Sequence, residues 1–128
     1  MANKKGQNEN ILTIPAGTVK IENGAYKDRT DITDVVIPDT VTEIGRYAFY
    51  GCTALTSVVI PNSVTKIGWD AFEDCTALTS VNIPNSVTAI GDEAFSGCTG
   101  LTRVVIPDSV KKIGRCAFAP NTKIIRKG

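Results

Sequence analysis

Four cysteines are the residues best suited to chemistry in this chain, which contains no histidine. Cys52, Cys75 and Cys98 follow one another at intervals of 23 positions, and Cys116 breaks that spacing. A thiolate can serve as nucleophile, metal ligand or half of a disulfide. The lack of histidine removes imidazole acid–base chemistry and most catalytic zinc sites. No Cys-x-x-Cys pair occurs, so a cysteine metal site lacks its usual spacing. Three stacked cysteines could reach disulfide range but cannot all pair, and they read as small buried hydrophobes kept as free thiols. Cys116 shares a variable column with Tyr47, Asp70 and Glu93, which marks it as the exposed, reactive thiol. Adjacent carboxylates such as Asp92 and Glu93 point in different directions and read as solubilising charge rather than an acid–base pair. The glycines form neither of the Gly-rich phosphate-binding motifs. The expectation is therefore a non-enzymatic chain with no catalytic, metal or cofactor-binding residues and no cofactor.

The spacing of those cysteines belongs to a larger pattern. The stretch Cys52 to Val64 returns as Cys75 to Val87 and again as Cys98 to Val110. Ile-Pro occurs at Ile14, Ile37, Ile60, Ile83 and Ile106, each 23 positions after the last. A fixed period in the twenties is the mark of a solenoid whose units stack and share one core. The 128 residues, 42% hydrophobic and 21% charged, suffice for one domain of ordinary globular balance. A formal charge of +1 gives no long-range pull toward nucleic acid. No apolar run approaches the roughly 18 residues of a membrane span, so membrane insertion is not expected. The average charge hides a gradient. Between Pro61 and Gly100, Lys66 stands against Asp70, Glu73, Asp74, Asp92 and Glu93, whereas from Asp108 to the end six cations face that one aspartate.

Within one unit the apolar period changes. Leu55, Val58 and Ile60 form a short strand with Val58 and Ile60 turned inward. Pro61 lacks a ladder donor and should end it. Val64 to Ile67 reads as a second extended piece, and Gly68 as a turn glycine. Ile67, Ala71, Cys75 and Leu78 recur at helical spacing, which predicts a short α or 3₁₀ turn over Trp69 to Asp74. Residues 1–10 are expected to be flexible and 11–128 to form one solenoid domain. Its degenerate first repeat is 15–37, its regular repeats 38–106 and its capping repeat 107–128. Glu22 replaces the recurrent Gly, Arg29 and Asn121 replace the recurrent Cys, and Lys127 falls where Val104 would recur. Polar departures of this kind are what terminal repeats facing water require.

The unit Ile60-Pro61-Asn62-Ser63-Val64-Thr65-Lys66-Ile67-Gly68-Trp69-Asp70-Ala71-Phe72-Glu73-Asp74-Cys75-Thr76-Ala77-Leu78 resembles the BspA-type (Treponema pallidum-type) leucine-rich repeat. The resemblance covers about Ile11 to Ile125. It implies an α/β, strand-rich leucine-rich-repeat solenoid of about 23 residues per repeat. A parallel β-sheet would line the concave side and short helical or 3₁₀ turns the convex side. Members are commonly bacterial or protist surface proteins that bind host or matrix proteins. The polar opening lacks the apolar run of a signal peptide. The expected compartment is therefore open: a surface or secreted location by resemblance, or the cytoplasm.

Two surfaces are candidates for protein binding. The outward strand positions Asp34, Val36, Ser57, Val59, Ser80, Asn82, Arg103 and Val105 would line the concave face. On the other side, Arg46, Tyr47, Tyr50, Trp69, Asp70, Glu73, Asp92, Glu93 and Ser96 vary between units, with Tyr47, Tyr50 and the single tryptophan as an aromatic cluster. A protein partner through either surface is the leading expectation. The alternative is a structural or self-associating scaffold, natural or engineered, with weak pairing at the solenoid ends. Lys123, Arg126 and Lys127 on the last strand oppose that pairing.

Overall fold

The computed structural model describes residues 10–127. Apart from Asn10, the segment expected to be flexible lies outside them. The chain winds as a parallel β-solenoid of about five coils, numbered here from Pro15, Pro38, Pro61, Pro84 and Pro107. Each coil contributes one strand to each of two sides. On the first side, β1 (Ile11–Thr13), β3 (Asp34–Val36), β5 (Ser57–Val59) and β7 (Ser80–Asn82) form a parallel sheet in that order. On the second side, β2 (Lys20–Ile21), β4 (Glu43–Ile44), β6 (Lys66–Ile67), β8 (Ala89–Ile90) and β10 (Lys112–Ile113) form a five-stranded sheet. The last pair, β9 (Arg103–Pro107) and β11 (Lys123–Lys127), makes a separate two-stranded sheet. Pro107 therefore stays within its strand instead of ending it.

The register is the repeat itself. Asp34 lies opposite Ser57 and Ser57 opposite Ser80, while Ile21, Ile44 and Ile67 follow one another on the second side. Equivalent apolar residues consequently stack. Tyr26, Phe49, Phe72, Phe95 and Phe118 form one column, with neighbouring ring centroids 5.1–5.6 Å apart and planes within 18° of parallel. Offset stacking of this kind contributes about 0.5–1.5 kcal/mol per pair beyond area burial. Leu55, Leu78 and Leu101 are fully buried, as are Val41, Val64 and Val87.

No helix forms among the described residues, which corrects the helical turn expected over Trp69 to Asp74. The amides there alternate in their partners. Asp70, Phe72 and Asp74 donate to the carbonyls of Asp92, Ala94 and Ser96 in the next coil, at 3.0, 2.7 and 2.8 Å. Ala71, Glu73 and Cys75 donate three residues back, to Gly68, Asp70 and Phe72, at 3.2–3.3 Å. An α-helix needs every amide for its own i−4 carbonyl. Here half are committed to the neighbouring coil. Asp70 and Asp74 also adopt left-handed φ values of 58° and 64°, which no right-handed helix accommodates. Inward residues thus recur at helix-like intervals along a chain of tight turns.

Gly68 is not a turn glycine either; its φ lies outside the left-handed region. A Cβ there would lie 2.8–2.9 Å from backbone atoms of Arg46, Gly45 and Ile44 in the coil before. Gly45, Gly91 and Gly114 meet the preceding coil equally closely. Glycine is needed because successive backbones touch. Glu22 occupies this column in the first coil, where the described chain has no full coil beneath it.

The final coil is shorter than the period. Phe118 still faces Phe95, but Lys123 pairs with Arg103 and Ile124 with Val104. Ile124, not Lys127, therefore takes the position below Val104, and Lys127 lies opposite Pro107. Ile113 and Ile124 are 38% and 45% exposed at this end.

Two substitutions separate core filling from coil contact. Leu78→Ala is expected to cost about 2–5 kcal/mol by urea unfolding, the loss for a fully buried leucine. A loss below about 0.5 kcal/mol would place that column outside the core. Gly68→Ala is expected to cost about 2 kcal/mol or more although it adds one methyl, because backbone must move. Glu22→Ala, in the same column, should stay within about 0.5 kcal/mol.

Candidate functional site

On the first side the outward positions form two rows. One runs Asp34, Ser57, Ser80, Arg103 and ends on Lys123, which lies opposite Arg103. The other runs Val36, Val59, Asn82, Val105. The first row passes from a carboxylate to two cations. The second is largely apolar, with Val36, Val59 and Val105 52%, 70% and 41% exposed. Exposed β-branched residues beside a graded polar row give a surface with a definite orientation for a partner.

The strand ladder lapses between β7 and β9, which are adjacent but not hydrogen-bonded to each other as strands. A shallow groove of about 390 Å³ lies there, lined by Ser80, Asn82, Arg103, Val105 and Lys127 among others. It gathers four of the eight sequence-predicted strand positions. Asp34, Val36, Ser57 and Val59 continue the same face on β3 and β5. Asn82 is not free for a partner. Its side-chain oxygen accepts from the Ile60 amide at 2.8 Å and its nitrogen donates to the Ile60 carbonyl at 3.0 Å. Both of its polar groups are used to bind one coil to the next.

The expected aromatic cluster divides in two. Tyr47 and Tyr50 meet edge to face at 5.7 Å, with the Lys27 ammonium 5.8 and 5.5 Å from their ring centres. Trp69 lies instead under the Arg46 guanidinium, 4.1 Å from its ring centre. Among the described residues no ring stacking links Trp69 to either tyrosine. Trp69 and Arg46 border a wide groove of about 920 Å³ over the second sheet, together with Lys20, Lys66, Lys111 and Lys112.

Cys52, Cys75 and Cys98 are buried free thiols, as the column spacing predicts. They also have a role that spacing does not reveal. Their sulfhydryls donate to the carbonyls of Tyr26, Phe49 and Phe72 at 3.3, 3.2 and 3.0 Å. Burial pushes the Cys52 thiol up to about 11. Hydrogen bonding with Cys98, together with burial, holds Cys75 far above the ordinary thiol range. Cys116 is exposed.

The acidic stretch sorts by contact. Asp92 accepts the Arg115 amide at 2.9 Å. Asp74 packs across Gly97, whose missing Cβ leaves room for its carboxylate. Asp70, Glu73 and Glu93 have carboxylate oxygens all within 4.8 Å of one another. Burial raises the Glu73 carboxyl to about 8, with hydrogen bonding to Asp70 and the nearby carboxylates adding to the shift. Reading the carboxylates only as separate solubilising charges missed this convergence. The residues come from different coils, and their meeting follows from the left-handed column that holds Asp70 and Glu93 at φ 58°.

A parallel solenoid with stacked Leu, Ile and Phe columns is a leucine-rich-repeat architecture. Six copies of the BspA type leucine rich repeat region match residues 4–125. The chain belongs to that family. No curated protein matches it. Among solved structures it is similar to the T. pallidum leucine rich repeat protein, with 32% identity and a TM-score of 0.84, covering 88% of this chain and 55% of that one. A leucine-rich repeat protein from Bacteroides ovatus is 34% identical with a TM-score of 0.85, covering 94% of this chain and 34% of that one. A leucine rich cell surface protein from Faecalibacterium prausnitzii is 30% identical with a TM-score of 0.61, covering 93% of this chain and 41% of that one. The chain thus spans about a third to just over half of these structures. Among the described residues no helix is long and apolar enough to cross a membrane.

Thiol access follows from the burial pattern. A maleimide added to the native protein should label Cys116 rapidly and the three buried cysteines only as the protein unfolds, read by peptide mass mapping. Labelling of Cys75 at the rate of Cys116 would contradict the closed core.

Proposed function

We propose that this chain is a non-enzymatic protein-binding module that receives its partner on the first-side sheet, centred on the groove between β7 and β9. The observation that carries this reading is the meeting of Val105 with Arg103 and Lys127 in the groove at the one place where the strand ladder is interrupted, with Lys123 opposite Arg103 on the neighbouring strand. A partner placing an apolar ridge along Val59 and Val105, with a carboxylate beside Arg103, would be matched in shape and charge. The rest of the coil serves as a rigid frame, since each side chain beneath the surface is fixed by its column. A cell-surface location is part of the proposal. It is supported by the relative described as a leucine rich cell surface protein. A host or matrix protein is the class of partner such a location offers.

The test is binding to a panel of immobilised extracellular-matrix proteins. Ser80→Arg and Arg103→Glu should each weaken binding by about tenfold or more, equivalent to about 1.4 kcal/mol, with an unchanged unfolding midpoint. Lys66→Glu, on the second sheet, should bind as the parent does. Asn82 is unsuitable as a probe, because its replacement also removes two bonds to Ile60. A bound partner indifferent to both groove variants would contradict the assignment of this face.

A further inference from the structure

The groove over the second sheet is separate from the first-side surface and differs from it in shape and charge. It passes all five coils along the solenoid axis, with a volume of about 920 Å³. One wall is the outward row Lys20, Glu43, Lys66, Ala89 and Lys112, set in register by the strand pairing. The other wall carries Arg46 and Trp69, and Gly68, Gly91 and Gly114 line the space between. Those glycines are required because successive backbones touch. Their missing side chains leave a trough between the two walls.

The trough is cationic. Lys20, Arg46, Lys66, Lys111 and Lys112 line it against only two carboxylates, Glu43 and Asp92. Both carboxylates are engaged: Glu43 lies 3.8 Å from Lys20, and Asp92 accepts the Arg115 amide at 2.9 Å. Among the described residues Arg46, Lys66, Lys111 and Lys112 form no ion pair. Lys66, Lys111 and Lys112 are exposed, and Arg46 is held against the Trp69 ring at 4.1 Å. A cleft lined by one sign of charge concentrates the opposite sign within it.

We propose that this trough binds a linear acidic polysaccharide, sulfated or carboxylated, laid along the solenoid axis. Lys66 and Lys112 are separated by one coil, so they stand about 9–10 Å apart at two strand spacings. That is the length of a disaccharide in an extended chain, the interval at which such polymers repeat their anionic groups. From Lys20 to Lys112 the row covers about 19 Å, room for a tetrasaccharide. Other linear polyanions fit less well. An acidic peptide that adds as a strand needs an open sheet edge, whereas β4, β6 and β8 are paired on both sides. A single nucleic-acid strand needs successive rings for its bases, and the one ring lining this trough already carries Arg46.

The test titrates the whole protein with size-fractionated heparin oligosaccharides. Trp69, the only tryptophan in the chain, reports from within the trough. A tetrasaccharide should change its fluorescence saturably, one per chain, and bind about tenfold or more tighter than a disaccharide, with affinity falling as salt rises. Lys66→Glu and Lys112→Glu should each weaken tetrasaccharide binding about tenfold, with an unchanged unfolding midpoint. Arg103→Glu makes the same charge change on the first side and should bind heparin as the parent does. Its expected loss of matrix-protein binding, which Lys66→Glu retains, keeps this site distinct from the first-side surface. Polyglutamate of equal charge should compete at least tenfold more weakly than the tetrasaccharide. No binding, equal losses in Arg103→Glu and Lys66→Glu, or equal competition by polyglutamate would overturn the proposal.

Discussion

The structure depends on backbone hydrogen bonds that pass between coils on the turn side as well as in the sheets. Every second amide from Asp70 to Asp74 donates to the coil that follows, and the intervening ones close tight turns within their own coil. Repeated at Tyr47, Phe49 and Gly51, the pattern fixes the stacking distance at a strand spacing along the whole contour. The glycine column follows from this, because backbones held so close leave no space for a Cβ at Gly45, Gly68, Gly91 and Gly114. The phenylalanine column follows too, since rings repeated at that spacing can only stack in parallel offset. Threonine hydroxyls bind successive coils at the edges, Thr65 to the Thr42 carbonyl and Thr88 to that of Thr65.

Much of this was legible in the sequence. A period of 23 assigns each apolar residue to a column without reference to any other chain, and the buried Ile, Val, Leu and Phe are those the columns select. Local conformation was less legible. Ile67, Ala71, Cys75 and Leu78 have the spacing of a helix face, and nothing local shows that the amides between them are used elsewhere. Gly68 is similar: a glycine required by a neighbouring backbone resembles one required by a turn. The shortened last coil was hidden because Phe118 keeps the period and only the return strand loses it.

The surface was legible in part. Outward strand positions follow from alternation, so Ser80, Arg103 and Val105 fall on one face as expected. The lapse between β7 and β9 leaves no mark in the strands, whose inward Val81 and Val104 share a column. Asn82 shows the limit of reading variable positions as free. Its amide stands in for a strand partner to Ile60, a use that only the neighbouring coil defines. The meeting of Asp70, Glu73 and Glu93 belongs to the same class, since it joins two coils through a left-handed backbone column.

The coil-to-coil amide pattern can be observed directly by NMR, through scalar couplings across hydrogen bonds in an isotope-labelled sample. The account predicts couplings from the amides of Phe49, Phe72 and Phe95 to the carbonyls of Ala71, Ala94 and Ala117, one coil further on. Couplings to Gly45, Gly68 and Gly91, four residues back, would mean that a helix occupies the turn side and would contradict it.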